Sequence, residues 1–322
     1  MPHTAPSTAT CHDALELAVR APSVHNSQPW RWKITRGRVD LYADFGRQLT
    51  ATDPRARALL VSCGAALNHL EVAFAMLGWR ADIARMPDPA RPDHLATLGF
   101  TPQPPTDLDI RLAAAIHVRQ SDRRRYPGLP IPTTDLRAIT RCAARYGTAA
   151  RHVPDPLITQ LAAPMRRAAD RHATDAAYQA ELAAWSGCHG ATYGVPARNA
   201  PAARSPEEIP MRVFAGTELA EFTDGPDSAH WLVVCTPRDD RLAQLRAGEA
   251  TSAMLLQATY RGLATSLQSE PLGMLDLRDQ IRATVLRECA YPHVMIRLGV
   301  MPFAATPLES TPRRPVTDVL VA

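Results

Sequence analysis

CGAALNHLEVAFAMLG (63–78) and AGEATSAMLLQATYRG (247–262) can be laid over one another at a single offset of 184 residues. That offset pairs Gly64 with Gly248, Ala66 with Ala250, Leu70 with Met254 and Gly78 with Gly262. A repeat at fixed spacing constrains a fold more than any local motif, because both copies must bury the same face in the same way. Here the shared face is a set of small residues on a long helix. Two α+β units that bury such faces against each other would form a dimer within one chain. The closing strands are matched as Leu98-Gly99-Phe100 with Leu298-Gly299-Val300.

The 322 residues suffice for one large domain or two of ordinary size. The first half, 1–106, opens with a helical pattern from Asp13 to Arg20, with Thr10 as N-cap and Pro22 as its stop. Trp30, Trp32 and Ile34 alternate along a strand, Arg36-Gly37 turns, and Val39 and Leu41 alternate along a second strand. The long helix of the repeat follows, stopped by Gly78, with strands near 80–85 and 94–100. TPQPPTD (101–107) reads as a linker. In the second half, 107–322, the pattern predicts helices over 109–117, 135–146 and 156–185, the last interrupted at Pro164. SGCHGATYGVPARNAPAARSPEEIP (186–210) reads as a long loop of the kind that serves as a lid. Then come the apolar strand HWLVVCTP, the second long helix, a strand at TSLQS, a helix over 275–286 and the strand PHVMIRLGV.

Composition removes several function classes. The net charge is +4, and 35 of the 36 basic residues are arginine, Lys33 being the one lysine. They are not gathered with aromatics on one element, which argues against nucleic acid as a partner. No apolar run reaches the roughly 20 residues of a membrane span. The first residues lack the basic start and apolar core of a secretory leader. Six scattered cysteines fit free thiols in a reducing cytoplasm. Cys188-His189 with Cys142 or His172 has no metal-ligand spacing. Neither Ser23 nor Ser121 sits in a GxSxG elbow, so a serine triad is not expected.

The stretch that carries chemistry is APSVHNSQPWRW (21–32), a crowd of polar residues between a helix and a Trp-rich strand. It resembles the helix–loop–strand signature of the nitroreductase-like FMN proteins. HVRQSDRRRY (117–126), TSLQS (265–269) and TPRRPVTDV near the C-terminus are similar to that family's phosphate grip, ring-side strand and final phosphate arginine. Length, fused halves and the VPARNAP segment (195–201) point more closely to its actinobacterial Acg branch of NAD(P)H nitroreductases. The fold class this implies is α+β: a nitroreductase-like FMN fold, a tandem pseudo-dimer with mixed or antiparallel sheets flanked by helices and a central long-helix interface. The resemblance implies FMN contacts from Pro22, Ser23, Val24, His25, Asn26 and Gln28; from Arg119, Ser121 and Arg123; from Leu267, Gln268 and Ser269; and from Arg313.

Those residue types suit the ligand. Arginine's planar fork binds a phosphate dianion through charge-assisted hydrogen bonds of about 1.5–3 kcal/mol each. Arg119, Ser121 and Arg123, spaced two apart, face one way in an extended segment. A small Ser23 lets backbone approach, and the Asn26 and Gln28 amides can meet polar edges. Each half keeps a different part of the site: the first has the NSQPW loop, the second the RQS element, so one complete pocket and one FMN per chain are expected. No catalytic triad is needed, because the flavin carries the chemistry. Two readings follow: an NAD(P)H-dependent reductase of nitro or quinone compounds, or a protein that sequesters FMN beneath a lid with little turnover. Whether the pseudo-dimer associates further is left open.

Overall fold

The computed structural model describes residues 5–187, 191–204 and 209–321. The first half runs α1 (Thr8–Ala18), β1 (Trp30–Thr35), β2 (Arg38–Ala43), α2 (Arg57–Met76), β3 (Trp79–Arg85) and β4 (His94–Pro102). The second runs α3 (Asp107–Val118), α4 (Thr133–Arg141), β5 (Ala149–Val153), α5 (Asp155–Thr174), α6 (Ala176–Ala184), β6 (His230–Thr236), α7 (Arg241–Tyr260), β7 (Ala264–Gln268), α8 (Leu275–Thr284), β8 (Tyr291–Gly299) and α9 (Val316–Val319). Each half folds a four-stranded antiparallel sheet, ordered β1-β2-β4-β3 in one and β5-β6-β8-β7 in the other. The topology is the same, and α2 and α7 occupy equivalent places between equivalent strands.

The two long helices cross at the paired glycines. A Cβ on Gly64 would lie 2.0 Å from the Leu245 carbonyl oxygen, and one on Gly248 would lie 2.0 Å from that of Val61. Leu245 and Val61 are themselves related by the 184-residue offset, so the approach is reciprocal, as on a twofold axis. One turn further on, Ser252 donates to the Asn68 side-chain oxygen at 2.6 Å, again between residues the repeat equates. Only glycine lets two backbones come this close. α2 is apolar and long enough to cross a membrane, but here its faces are spent on the cores of the two halves.

Strand register corrects one pairing. β2 and β4 slip at Leu41/Tyr42, opposite Ala96 and His94; β6 and β8 slip at Val234/Cys235, opposite Val294 and Pro292. Equating the two bulges sets Leu98 on Ile296, so Leu98-Gly99-Phe100 answers to Ile296-Arg297-Leu298 rather than to Leu298-Gly299-Val300. β3 and β7 agree, since Asp82 faces Gly99 as Ser266 faces Arg297. A slip of two residues keeps every side chain on its own face, so alternation alone is blind to it.

Other local expectations shift for identifiable reasons. α1 starts earlier, capped by the Ser7 hydroxyl rather than by Thr10. α5 continues through Pro164, and the break falls at Asp175, whose carboxylate accepts from Ala177 and Tyr178 N–H to start α6. The 135–146 helix divides into α4 and a 3-10 turn ended by Gly147 at φ 66°. β5 carries only one buried residue, Val153, and so has no hydrophobic signature. β6, in contrast, is apolar throughout because both its faces are covered: Leu232 and Val234 face α7, while Trp231 and Val233 join the core that includes Leu161 of α5 and Ile281 of α8.

The chain closes on itself at the end. Leu320 forms a parallel bridge to Trp32, Val321 N–H donates to the Trp32 carbonyl at 2.8 Å, and Val316 and Val319 enter the first core. The first sheet thus gains a parallel neighbour from the last residues of the second half.

Candidate functional site

The loop after α1 is unusual in its backbone. His25, Asn26 and Gln28 have φ of 46°, 54° and 50°, in the left-handed region that costs non-glycine residues energy. Hydrogen bonds hold it there. The Ser23 hydroxyl accepts from Gln28 N–H at 2.9 Å and the Ser62 hydroxyl from Val24 N–H at 3.1 Å. The Asn26 amide donates to the carbonyls of Gly194 and Pro312, and Gln28 donates to Thr192 while accepting from Arg314 N–H. Asn26 and Gln28 tie the loop to two distant segments, while the buried Asn26 Oδ1 has no partner.

Between the halves lies a cavity with Pro22, Ser23, Val24 and His25 on one wall. α2 contributes Ala58, Val61, Ser62 and Ala65, and Thr251 of α7 comes from across the seam. Ser121 and Arg123 meet Leu267, Gln268 and Ser269 there because Ser121 bridges in parallel to Thr265, with Asp122 N–H donating to the Thr265 carbonyl at 2.8 Å. His293, Val294, Met211, Arg212 and Phe214 complete the lining. Asn26 and Gln28 are absent from it. So are the described residues of 186–204; the segment that reaches the cavity comes after the predicted loop, at 211–214. Cys188 and His189 lie outside the described residues.

Arg119 and Arg313 line a narrower cleft together with Arg20, His117, Gln120, Ser310 and Thr311. Arg119 is buried, and its Nε and Nη1 have no partner; Arg20 Nε and Arg313 Nε also lack one. Burial first, then Arg20 and Arg123, pull the Arg119 pKa down to about 10. Burial, Arg119 and Arg20 pull Arg313 down to about 9. Among the described residues no carboxylate pairs with Arg119. Three crowded cations with spare N–H groups and no counterion make a site for a compact anion, and a phosphate dianion matches that donor set. Two residues along the chain, Ser121 lines the larger cavity.

His25 is buried, and burial, then Arg212, Arg123 and His172, push its pKa well below the ordinary value. Burial and Arg212 bring Arg123 down to about 10. Arg123 Nη1 donates to the Asn199 carbonyl, and the guanidinium lies 4.9 Å from the Phe214 ring centre. Sequence reasoning missed Arg20, Ser62, Met211, Arg212, Phe214, Thr251 and His293. Arg20 was within reach, as the residue that ends the α1 pattern beside the motif; the others depend on long-range packing.

The rotated counterpart of the cavity is filled. The 184-residue offset takes Ala65 to Glu249 and Ser269 to Arg85. In place of two small lining residues there is a bidentate ion pair, Arg85 Nη2–Glu249 Oε1 at 2.7 Å and Nε–Oε2 at 2.8 Å, with Glu249 fully buried.

No family model matches the chain. The chain is 44% identical over 318 residues to "Putative NAD(P)H nitroreductase Rv3131" of Mycobacterium tuberculosis, covering 98% of this chain and 92% of the relative. It is 35% identical over 329 residues to "Putative NAD(P)H nitroreductase acg" of the same organism, covering 99% and 97%. Its fold is similar to a crystal structure described as "a putative nitroreductase" from Anabaena variabilis, with a TM-score of 0.54, 12% identity, and coverage of 93% of this chain and 90% of the other. The matched regions cover nearly the whole chain, both halves included, and so the chain belongs to the family of Acg-like NAD(P)H nitroreductases.

Proposed function

We propose that this chain is an FMN-dependent NAD(P)H oxidoreductase of nitroreductase or quinone-reductase type, holding one flavin in the seam between its halves. Bound FMN supplies the chemistry, accepting hydride from a nicotinamide and passing electrons to the acceptor. The protein's part is to bind, orient and exclude water. Arg119, Arg313 and Arg20 hold the phosphate end. The Ser23 and Ser121 hydroxyls remain free to donate toward the ribityl chain. Ala65, Val294, Leu267 and Phe214 keep the ring end dry. The observation that carries this reading is the set of unpartnered guanidinium N–H groups of Arg119 and Arg313 together with a cavity walled by three of the four expected segments. The relatives favour turnover over storage, since both bear a nitroreductase name. Five described cysteines are free thiols, which suits a reducing compartment such as the cytoplasm.

The test is anaerobic. Holoprotein is mixed with NADH or NADPH and the flavin absorbance followed. Bleaching by either nucleotide is expected. A flavin that dithionite bleaches but neither nucleotide does would reject the reductase reading.

A further inference from the structure

Arg212 brings a cation into the cavity from an irregular segment that no motif marks. Its Nη1 donates to His25 Nε2 at 2.6 Å. A guanidinium can only donate, so Nε2 accepts and the imidazole proton sits on Nδ1. That Nδ1 is buried without a partner, and so is Arg212 Nε. The fold therefore leaves two spare N–H donors, one on a fixed positive charge, on residues that line the same cavity.

Behind Arg212 stands a buried support. The Tyr178 ring centre lies 5.9 Å from the guanidinium, and the Tyr178 hydroxyl donates to Glu270 Oε1 at 3.4 Å. His172 Nδ1 meets the same oxygen at 2.7 Å, and its ring stacks on Tyr178 with centres 3.6 Å apart. Burial would raise the Glu270 pKa, but the His172 hydrogen bond and the Arg212 charge outweigh it and hold the carboxyl below its ordinary value. Glu270 follows Ser269, a lining residue, so the carboxylate that supports Arg212 is anchored to the cavity wall itself.

We propose that Arg212 is a redox-discriminating ligand of the flavin, binding the reduced ring more tightly than the oxidised one, with Tyr178 and Glu270 as its positioning residues. This rests on the FMN reading above. Two electrons and one proton, the equivalent of hydride from a nicotinamide, leave the ring with one more negative charge than before. A guanidinium fixed at a water-poor site interacts with that added charge and has little to gain from the neutral ring.

The test measures two things on wild type, R212Q, R212K and E270Q: the dissociation constant for oxidised FMN, and the midpoint potential of the bound flavin. For R212Q, affinity for reduced FMN is expected to fall about tenfold more than affinity for oxidised FMN, which lowers a two-electron potential by about 30 mV. R212K should recover most of that shift. E270Q separates positioning from mere proximity. Loss of a nearby negative charge alone would raise the potential, whereas displacement of Arg212 lowers it, and lowering is expected. A folded R212Q whose potential is unchanged or raised overturns the proposal, as does R212Q losing oxidised and reduced FMN equally, or an R212K whose potential stays as low as that of R212Q. A rise in E270Q removes the positioning role. A wild-type chain that binds no FMN fails the functional reading itself, a different outcome from any of these.

Discussion

Arg119 presents two buried N–H groups with nothing to bind, so its replacement should cost ligand affinity and not the fold. Arg119→Gln is expected to weaken FMN binding roughly 10- to 100-fold, the worth of one or two charge-assisted hydrogen bonds. The ligand-free variant should melt no lower than wild type, because an unpaired buried cation has been removed. Fluorescence titration and thermal melts check the two halves of that statement. His293 makes the complementary point about pH. It is buried beside Arg57, which donates to its Nδ1, and burial with Arg57 and Arg278 lowers its pKa to about 3. A histidine whose folded pKa lies below its unfolded value contributes stability that is complete above about pH 6.5 and is lost as pH falls toward 3. Between pH 7 and 5 this one residue should cost about 2 kcal/mol. His25 and His69 are shifted the same way and add to the loss. Urea unfolding at the two pH values, repeated with His293→Asn, should show a flatter pH dependence in the variant.

The helix crossing is decided by Gly64 and Gly248. Gly64→Ala places a methyl 2.0 Å from a backbone carbonyl that cannot move without separating α2 from α7. About 3 kcal/mol or more of stability should be lost, at the upper end of overpacking effects. Gly99→Ala, with nothing within 4 Å of its added Cβ, serves as the control and should be near neutral. The filled twin cavity gives a second test of the repeat. Glu249→Ala leaves the partly buried Arg85 without its carboxylate and should cost about 3 kcal/mol. Arg85→Ser/Glu249→Ala, which restores the residue types of Ser269 and Ala65, should cost less than that single change. Equal or greater loss in the double variant would speak against the equivalence. These elements also show where sequence reasoning reached and where it stopped. Paired glycines, turn residues and the loop before Trp30 are local chemistry, and they located the helix crossing and one wall of the cavity. The register of β8 escaped because a two-residue slip preserves alternation, and β5 escaped because an edge strand with one buried residue has no pattern. The amides of Asn26 and Gln28 are legible in the loop, but the carbonyls of Thr192, Gly194 and Pro312 that they bond are brought to them only by the folded chain.

At the scale of the molecule, two similar halves share one working seam. The first contributes the strained loop, Arg20 and the α2 wall, the second Arg119, Arg313 and the strand β7, and the last residues return to bridge Trp32. Rotating the cavity about the Gly64–Gly248 crossing lands on Arg85 and Glu249 rather than on a second opening. The pseudo-dimer is therefore unequal by construction, and stoichiometry is its most direct readout. Protein saturated with FMN, freed of excess ligand and then denatured should release one flavin per chain by absorbance against protein concentration. Two flavins per chain, or none, would contradict the account.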